Sequence, residues 1–123
     1  MDFGENIGIE VVSAEKGYVK LKLPVTDKVK QPFGFLHGGV SVALAEHAAS
    51  IGASLSVAED EIAFGLDINA SHLRSVQSGD IYAIAEPIHI GRTTQVWQVQ
   101  IESEDQIICV SRVTIAVKKK RIE

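Results

Sequence analysis

The feature that most constrains this chain is a segment of about twenty residues, from Gly38 to Val57, that contains no proline and no internal turn signal. The segment is dominated by Ala, Val and Ser, and a helical projection places apolar residues on nearly every side. A helix of this kind is buried on most of its circumference, and its small side chains let a sheet approach it closely. We therefore predict one long central helix packed against a sheet.

Strand patterns precede and follow this helix. Residues 17–25 alternate apolar and charged side chains, and residues 8–13 form the strand before them. From Glu61 to Val117 the pattern has a period of two, interrupted by turn signals at residues 78–80, 91 and 103–106. We predict one α+β domain over residues 1–123, in which an antiparallel sheet of about five to six strands curls round the helix.

The alternation also predicts which side chains share a face of each strand. On the strand that begins at Glu61, we expect one face to carry Ile62, Phe64, Leu66, Ile68 and Ala70. On the last two strands, the corresponding apolar series are Trp97, Val99, Ile101, Ile107, Cys109, Val113, Ile115 and Val117. These series predict a core between the sheet and the helix.

The distribution of charge argues against nucleic-acid binding. The formal net charge is −4, and residues 1–117 alone carry 8 basic and 15 acidic residues, a net charge of −7. A nucleic-acid groove requires a basic surface. Between residues 31 and 117 the only cations are Arg74, Arg92 and Arg112, which would form an anion site if they clustered. The basic run at residues 118–121 is interpreted as a solubilising end.

Other features indicate a cytoplasmic protein that does not cross a membrane. The longest apolar-looking stretch, residues 40–57, is interrupted by Glu46, His47 and four serines. It falls short of the roughly 20 apolar residues of a membrane span. The first residues are acidic and resemble no secretory signal, and the single cysteine, Cys109, cannot form an internal disulfide. A reducing cytoplasm is therefore expected.

Few residues are suited to catalysis, and none form a cofactor or metal motif. The chain has no phosphate-binding glycine loop and no Cys-x-x-Cys pair, and its four histidines lack metal-ligand spacing. We therefore expect chemistry without a cofactor or a metal. Glu46 is the only acid in the predicted helix, and Ser50 lies one turn further on the same face. A carboxylate among Ala and Val is costly, so Glu46 either bonds Ser50 or a partner subunit, or takes part in catalysis.

Gly38 and Gly39 open the predicted helix. Their backbone N–H groups lie at the positive end of the helix dipole, where they can polarise a carbonyl. His37, just before them, is consistent both with a capping and with a catalytic histidine. Gly38 and Glu46 are separated by roughly 12 Å along the helix, too far to act on one carbonyl within one chain. Two antiparallel copies of the helix would bring them together in a symmetric dimer.

Four blocks of this sequence resemble the hotdog-fold thioesterases, in the order and spacing of that family. They are QPFGFLHGG at 31–39, LAEHAAS at 44–50, GLDINASHLRS at 65–75 and HIGRTTQVWQ at 89–98. The resemblance covers essentially the whole chain. It is strongest to the branch that hydrolyses aromatic acyl-CoA thioesters, notably the 1,4-dihydroxy-2-naphthoyl-CoA hydrolases of menaquinone biosynthesis. Glu46 supports this branch, because phenylacetate-type thioesterases usually carry Asp at that position.

The resemblance implies an acyl-CoA hydrolase in which CoA is part of the substrate and product and no separate cofactor is needed. Glu46 would act as nucleophile or general base, and the Gly38 N–H would polarise the thioester carbonyl. Gln31 and His37 would contact the thioester region or orient water, and Ser50 would assist Glu46 of the opposite subunit. The CoA-binding residues would be Gly65, His72, Leu73, Arg74, Ser75, His89, Ile90, Gly91, Arg92, Thr93 and Thr94. The expected assembly is at least a homodimer, and a homotetramer built as a dimer of dimers.

Other functions remain open at this point. A broad-specificity or proofreading thioesterase, acting on acyl-CoA or aryl-carrier thioesters, would use the same residues. A non-catalytic acyl-CoA-binding protein would need only the binding stretches, whereas the motif of a hydratase or dehydratase of the same fold is absent. Phe33, Phe35 and Leu36 either line an acyl pocket or pack the loop on the core. His47 points away from Glu46 on a helix, which favours a structural or interface role.

Overall fold

The computed structural model describes residues 2–121 and contains two α-helices. The short helix α1 (Phe3–Ile7) begins where the Asp2 carboxylate accepts a hydrogen bond from the Glu5 N–H, at 2.9 Å. It ends at Gly8, whose φ of 95° is left-handed. A 3-10 turn at Asp27–Val29 precedes the long helix α2 (Gly38–Ser54). The sequence prediction included α2 but not α1.

Helix α2 ends three residues before the predicted Val57. The N–H of Ser56 bonds the carbonyl of Ala53 at 2.9 Å, and the Ser56 hydroxyl donates to the carbonyl of Gly52 at 3.0 Å. These bonds satisfy carbonyls at the end of α2 that the N–H groups of a further helical turn would otherwise have bonded, and the helix ends there. The predicted burial is confirmed, because only Gly39, Glu46 and Ser54 of this helix are exposed.

The six strands form one antiparallel sheet. In chain order they are β1 (Glu10–Glu15), β2 (Tyr18–Pro24), β3 (Glu61–His72), β4 (Asp80–Ile90), β5 (Thr94–Ser103) and β6 (Gln106–Lys119). Their order across the sheet is β1-β2-β4-β5-β6-β3, so β1 and β3 are the two edge strands. The predicted α+β fold with five to six antiparallel strands is confirmed. The first strand begins two residues later than predicted.

The core lies between α2 and the sheet, whose six strands all contact the helix. Leu44, Ala48 and Ala49 of α2 are fully buried. Gly52 lies under Trp97, and a Cβ at residue 52 would collide with the indole ring. The indole N–H donates to the buried Gln95 side chain at 2.8 Å. Small residues on α2 thus allow the close approach predicted from the composition. Within residues 2–121, no helix is long and apolar enough to cross a membrane.

A β-bulge changes which side chains of β3 face the helix. Gly65 pairs with Ile115 and Asp67 with Thr114, so Leu66 is an extra residue. Beyond the bulge Ile68 and Ala70 pack on the core, but before it Ala63 does so in place of the predicted side chains. Ile62, Phe64 and Leu66 are 44%, 39% and 60% exposed. The prediction of one shared face was therefore wrong for these three residues.

Candidate active site

Glu46 lies on α2 where the helix crosses edge strand β3. Its side chain is exposed, and its carboxylate occupies the space in which a Cβ of residue 65 would lie. Gly65, predicted from the resemblance as a CoA-binding residue, thus makes room for the Glu46 carboxylate. Ser50 is half-buried one turn further along, and within residues 2–121 no hydrogen bond joins it to Glu46. The structure of one chain therefore does not contain the Glu46–Ser50 bond that was one of the alternatives.

The start of α2 leaves one backbone donor free. The N–H of Gly39 donates to Nδ1 of His37 at 2.9 Å, and the N–H of Val40 donates to the His37 carbonyl at 3.0 Å. The N–H of Gly38 has no acceptor among residues 2–121. His37 is therefore the N-cap of α2, one of its two predicted roles, and a neutral ring that accepts at Nδ1 carries its proton on Nε2. The predicted carbonyl-polarising donor is available at Gly38.

Gln31 organises the loop that leads into α2. Its side-chain oxygen accepts from the N–H groups of Phe33 and Phe35, and its own N–H donates to the Phe35 carbonyl at 2.8 Å. The side-chain NH₂ group is the part of Gln31 left to meet a ligand. Phe33 is 84% exposed, so it does not pack this loop on the core of the single chain.

A cleft of about 180 Å³ opens beside the free donor. Gly38 lies against the ring of His72, where a Cβ at residue 38 would come within 3.3 Å of Nε2. The cleft is lined by Leu36, Gly38, Ser41, His72, Arg74, Ser75, Val76 and Ile108. A larger groove of about 570 Å³ shares Arg74, Ser75, Val76 and Ile108 with it. The predicted stretch from His72 to Ser75 therefore borders the Gly38 donor.

Ser41 is a cleft residue that the sequence analysis missed. It is 2% exposed, lies one helical turn after Gly38 and lines the same cleft. The signal available in the sequence was its i+3 spacing from Gly38, which places both residues on one face of α2.

The second predicted binding stretch, residues 89–94, lies at the other end of the sheet. Thr94 pairs with Ala116, which pairs with Phe64 of β3, whereas His72 pairs with Cys109 near the opposite end of β3. Within this stretch the Gly91 N–H bonds the Thr94 carbonyl at 2.9 Å and closes the turn that carries Arg92. One chain therefore does not bring Arg74 and Arg92 together.

Arg112, the third mid-chain cation, lies between these two ends. It pairs with Asn69 of β3 and with Gln98 of β5, and it is exposed. Its neighbours in the strand, Ser111 and Val113, are buried, so Arg112 points away from the helix. The three arginines do not form a common anion site within one chain.

Each chain contains two separate parts of the candidate site. Glu46 lies against Gly65 and Gly38 lies against His72, at positions seven residues apart on edge strand β3. Seven residues of strand span about 23 Å, and the helical spacing of Gly38 and Glu46 is about 12 Å. No single small thioester group can contact both parts in one chain.

His47 is covered by the N-terminal helix. A Cβ on buried Gly4 of α1 would lie 2.6 Å from the imidazole Cε1 of His47. This contact places α1 over α2 and agrees with the structural role expected for His47.

Neither a reactive cysteine nor a cluster of metal-ligating side chains occurs among residues 2–121. The Cys109 thiol is buried, and burial raises its pKa, so it stays protonated and is a poor nucleophile at neutral pH. Among residues 2–121, no three His, Cys, Asp or Glu side chains are grouped closely enough to hold a metal ion.

Comparisons with known proteins show what this chain is similar to. Residues 33–110 match the family described as the thioesterase superfamily. A 1,4-dihydroxy-2-naphthoyl-CoA hydrolase of Listeria monocytogenes is 62% identical over 122 residues, covering 98% of this chain and 99% of the relative. The proofreading thioesterase EntH of Cronobacter turicensis is 37% identical over 114 residues, covering 92% and 83%. A thioesterase of Haemophilus influenzae, solved by crystallography, is 46% identical with a TM-score of 0.91, covering 94% of this chain and 82% of that chain.

Proposed function

The chain belongs to the thioesterase superfamily and has its hotdog fold, and from this premise we propose that it hydrolyses an aromatic acyl-CoA thioester, with 1,4-dihydroxy-2-naphthoyl-CoA as the substrate. The observation that carries the proposal is the geometry of the two half-sites. One presents a carboxylate, Glu46, and the other presents a free backbone donor, Gly38. Identity of 62% to the Listeria hydrolase supports the choice of acyl group.

A symmetric dimer would join the two half-sites. Among residues 2–121, strand β3 has no neighbour on its outer edge, and it carries exposed apolar side chains, including Leu66. If two β3 strands pair antiparallel about Ile68 and Asn69, Gly65 of one subunit lies opposite His72 of the partner subunit. Glu46 then approaches Gly38 of the partner subunit, because Glu46 lies beside Gly65 and Gly38 lies beside His72 in each chain. Such a dimer contains two equivalent active sites.

In this dimer Glu46 would activate water or attack the carbonyl carbon, and Gly38 of the partner subunit would stabilise the carbonyl oxygen. With Glu46 as general base, water attacks the carbonyl carbon while Glu46 takes its proton, and the C–S bond then breaks as the thiolate leaves and accepts a proton. With Glu46 as nucleophile, its oxygen attacks the carbonyl carbon, CoA leaves, and water hydrolyses the resulting anhydride. In both routes the Gly38 N–H stabilises the negative charge that develops on the carbonyl oxygen.

The same pairing would assemble a CoA site from both subunits. Arg74 follows His72 and therefore lies near the Gly65 end of the partner subunit, which is also the end that carries the turn with Arg92. Arg74 of one subunit and Arg92 of the other would bind the phosphates of one CoA molecule. The groove beside Arg74 would accept the part of CoA distant from the thioester.

The assembly, location and cofactor requirement are parts of the same proposal. Exposed apolar side chains away from β3, such as Val11 and Ile88, provide surface on which two dimers would form the expected homotetramer. The reaction would need no cofactor beyond the CoA of its substrate. It would take place in the cytoplasm, where Cys109 stays reduced.

A proofreading thioesterase is the second candidate function, favoured by the 37% identity to the Cronobacter relative. It would act on wrongly loaded aryl groups, on CoA or on a carrier protein, with the same Glu46 and Gly38. The two candidates differ in which thioester gives the higher kcat/KM, because specificity is a ratio of those values.

Thiol release by the purified protein tests the proposed function. We expect 1,4-dihydroxy-2-naphthoyl-CoA to be cleaved with a higher kcat/KM than benzoyl-CoA or a dihydroxybenzoyl-loaded carrier protein. Glu46→Gln keeps the size of the side chain and removes its charge, so turnover should fall by at least about 10²-fold. Glu59→Gln changes an exposed acid beyond the helix and is the matched control. Turnover of Glu46→Gln close to wild type would contradict the role of Glu46, and substrate binding without hydrolysis would indicate the non-catalytic alternative.

A further inference from the structure

The basic end of β6 lies beside the turn that carries Arg92. The N–H of Val117 donates to the carbonyl of Thr93 at 2.9 Å, continuing the antiparallel pairing of Thr94 with Ala116. Arg92 precedes Thr93 in the turn, and Lys118 follows Val117 in β6. This hydrogen bond therefore brings the turn that carries Arg92 close to Lys118, although the two residues are distant in sequence.

Nearby cations repel each other unless an anion lies between them. Within residues 2–121, neither Arg92 nor Lys118 lies within 4.0 Å of a carboxylate. The pair is also unusual in this molecule, because residues 1–117 carry a net charge of −7. The geometry thus leaves a positively charged pair that lacks a counter-ion in the described part of the chain.

Lys118 and the next residue of β6, Lys119, have different surroundings. Successive side chains of a strand point to opposite faces, so Lys118 and Lys119 lie on opposite sides of the sheet. Nζ of Lys119 forms an ion pair with Asp60 at 3.3 Å. Nζ of Lys118 instead lies over the Phe64 ring, 5.7 Å from its centroid, on the face away from the helix. The ring holds the ammonium in place, and its hydrogens can still be donated to an anion.

We propose that Lys118 is a phosphate-binding residue that acts together with Arg92 on the nucleotide end of CoA. This assignment rests on the proposed function, which places CoA against Arg92, and adds a residue that was interpreted as part of a solubilising end. The 3′-phosphate and the diphosphate of CoA are multiply charged anions with several acceptor oxygens, which suit one guanidinium and one ammonium group.

Binding of 3′,5′-ADP to the whole protein tests this assignment, because that nucleotide carries phosphates of CoA without the acyl group. By calorimetry, Lys118→Gln should weaken binding about 5-fold, the effect of one exposed charge-assisted contact. Lys118→Arg should restore most of the affinity. Lys119→Gln is the matched control, since it removes the same charge one residue away on the other face, and its affinity should stay within about 2-fold of wild type.

Three results would overturn the assignment: unchanged affinity in Lys118→Gln, equal losses in Lys118→Gln and Lys119→Gln, which would reflect only the general field of the tail, or absence of 3′,5′-ADP binding by the wild type. If Lys118→Gln folds poorly, Lys118→Met keeps the aliphatic stem over Phe64 and should show the same 5-fold loss. Hydrolysis by the wild type is measured separately. If the wild type hydrolyses the thioester but the Lys118 variants bind 3′,5′-ADP as tightly as the wild type, only the Lys118 assignment is contradicted. If the Lys118 variants lose affinity but the wild type shows no hydrolysis, only the proposed function is contradicted.

Discussion

At the scale of residues, the role proposed for Gly38 follows from the hydrogen bonding at the start of α2. His37 satisfies the N–H groups of Gly39 and Val40, through its ring and its carbonyl respectively, and leaves that of Gly38 without an acceptor in the described chain. A free N–H at the start of a helix carries part of the positive helix dipole. A small residue at this position also leaves the cleft beside His72 open.

Replacing Gly38 with Pro should remove this donor and keep the helix. Proline is favoured at the first position of a helix, and His37, with φ −68° and ψ 130°, already has the backbone that precedes proline. We expect kcat to fall by about 10²- to 10³-fold, the effect of losing one oxyanion donor. Gly38→Ala adds the same Cβ against His72 but retains the N–H, and it is the matched control.

The difference in kcat between Gly38→Pro and Gly38→Ala isolates the donor from the steric change. Circular dichroism would check that both variants retain the helix. Equal kcat values for the two variants would show that the Gly38 N–H does not stabilise the reacting carbonyl.

At the scale of elements, β3 shows what sequence patterns can and cannot predict. The alternation of Ile62, Phe64, Leu66 and Ile68 is unbroken in the sequence, and it correctly predicts a strand. The bulge at Leu66 arises from the pairing with β6, a non-local interaction, so the pattern could not place it. Helix α1 was missed because five residues provide too short a periodic signal, although Asp2 and Gly8 are typical cap residues.

The sequence predicts those parts of the candidate site that depend on the chemical type of a single residue. A lone acid on a small-residue helix and two glycines at its start made Glu46 and Gly38 candidates, and the family resemblance supplied the roles predicted for them. The neighbourhood of Arg92 and Lys118 was not predictable, because it depends on the hydrogen bond between Val117 and the β4–β5 turn. Candidate roles of single residues can be predicted from local sequence, whereas which distant segments lie side by side depends on strand pairing.

The exposed edge of β3 gives a prediction about assembly. Leu66 is the extra residue of the β3 bulge and is 60% exposed, and it lies within the stretch of β3 that would pair in the proposed dimer. Leu66→Lys should convert the dimer to monomers and abolish activity, because a charge on an edge strand opposes pairing. Val12→Lys changes the extra residue of the β1 bulge, which is 53% exposed on the other edge strand, and should leave the dimer intact.

Sedimentation velocity at several protein concentrations, together with the hydrolysis rate, would measure both effects. A dimeric and active Leu66→Lys protein would contradict the β3 interface. The same would follow if Val12→Lys dissociated to a similar extent.

At the scale of the whole molecule, the proposed active site requires two copies of the chain. Glu46 and Gly38 belong to one helix but lie beside opposite halves of β3, so only a second copy can bring them together. The same relation separates Arg74 from Arg92 in one chain. Activity should therefore be a property of the dimer, and each site should draw residues from both subunits.

The most direct test of shared sites is the recovery of activity from two inactive variants. Glu46→Gln and Gly38→Pro are mixed in equal amounts and allowed to exchange subunits, which differently tagged chains would verify. A mixed dimer has one doubly altered site and one intact site. With random exchange half of the dimers are mixed, so activity should return to roughly one quarter of wild type. Absence of recovery despite verified exchange would contradict the central claim that Glu46 and Gly38 of different subunits form one active site.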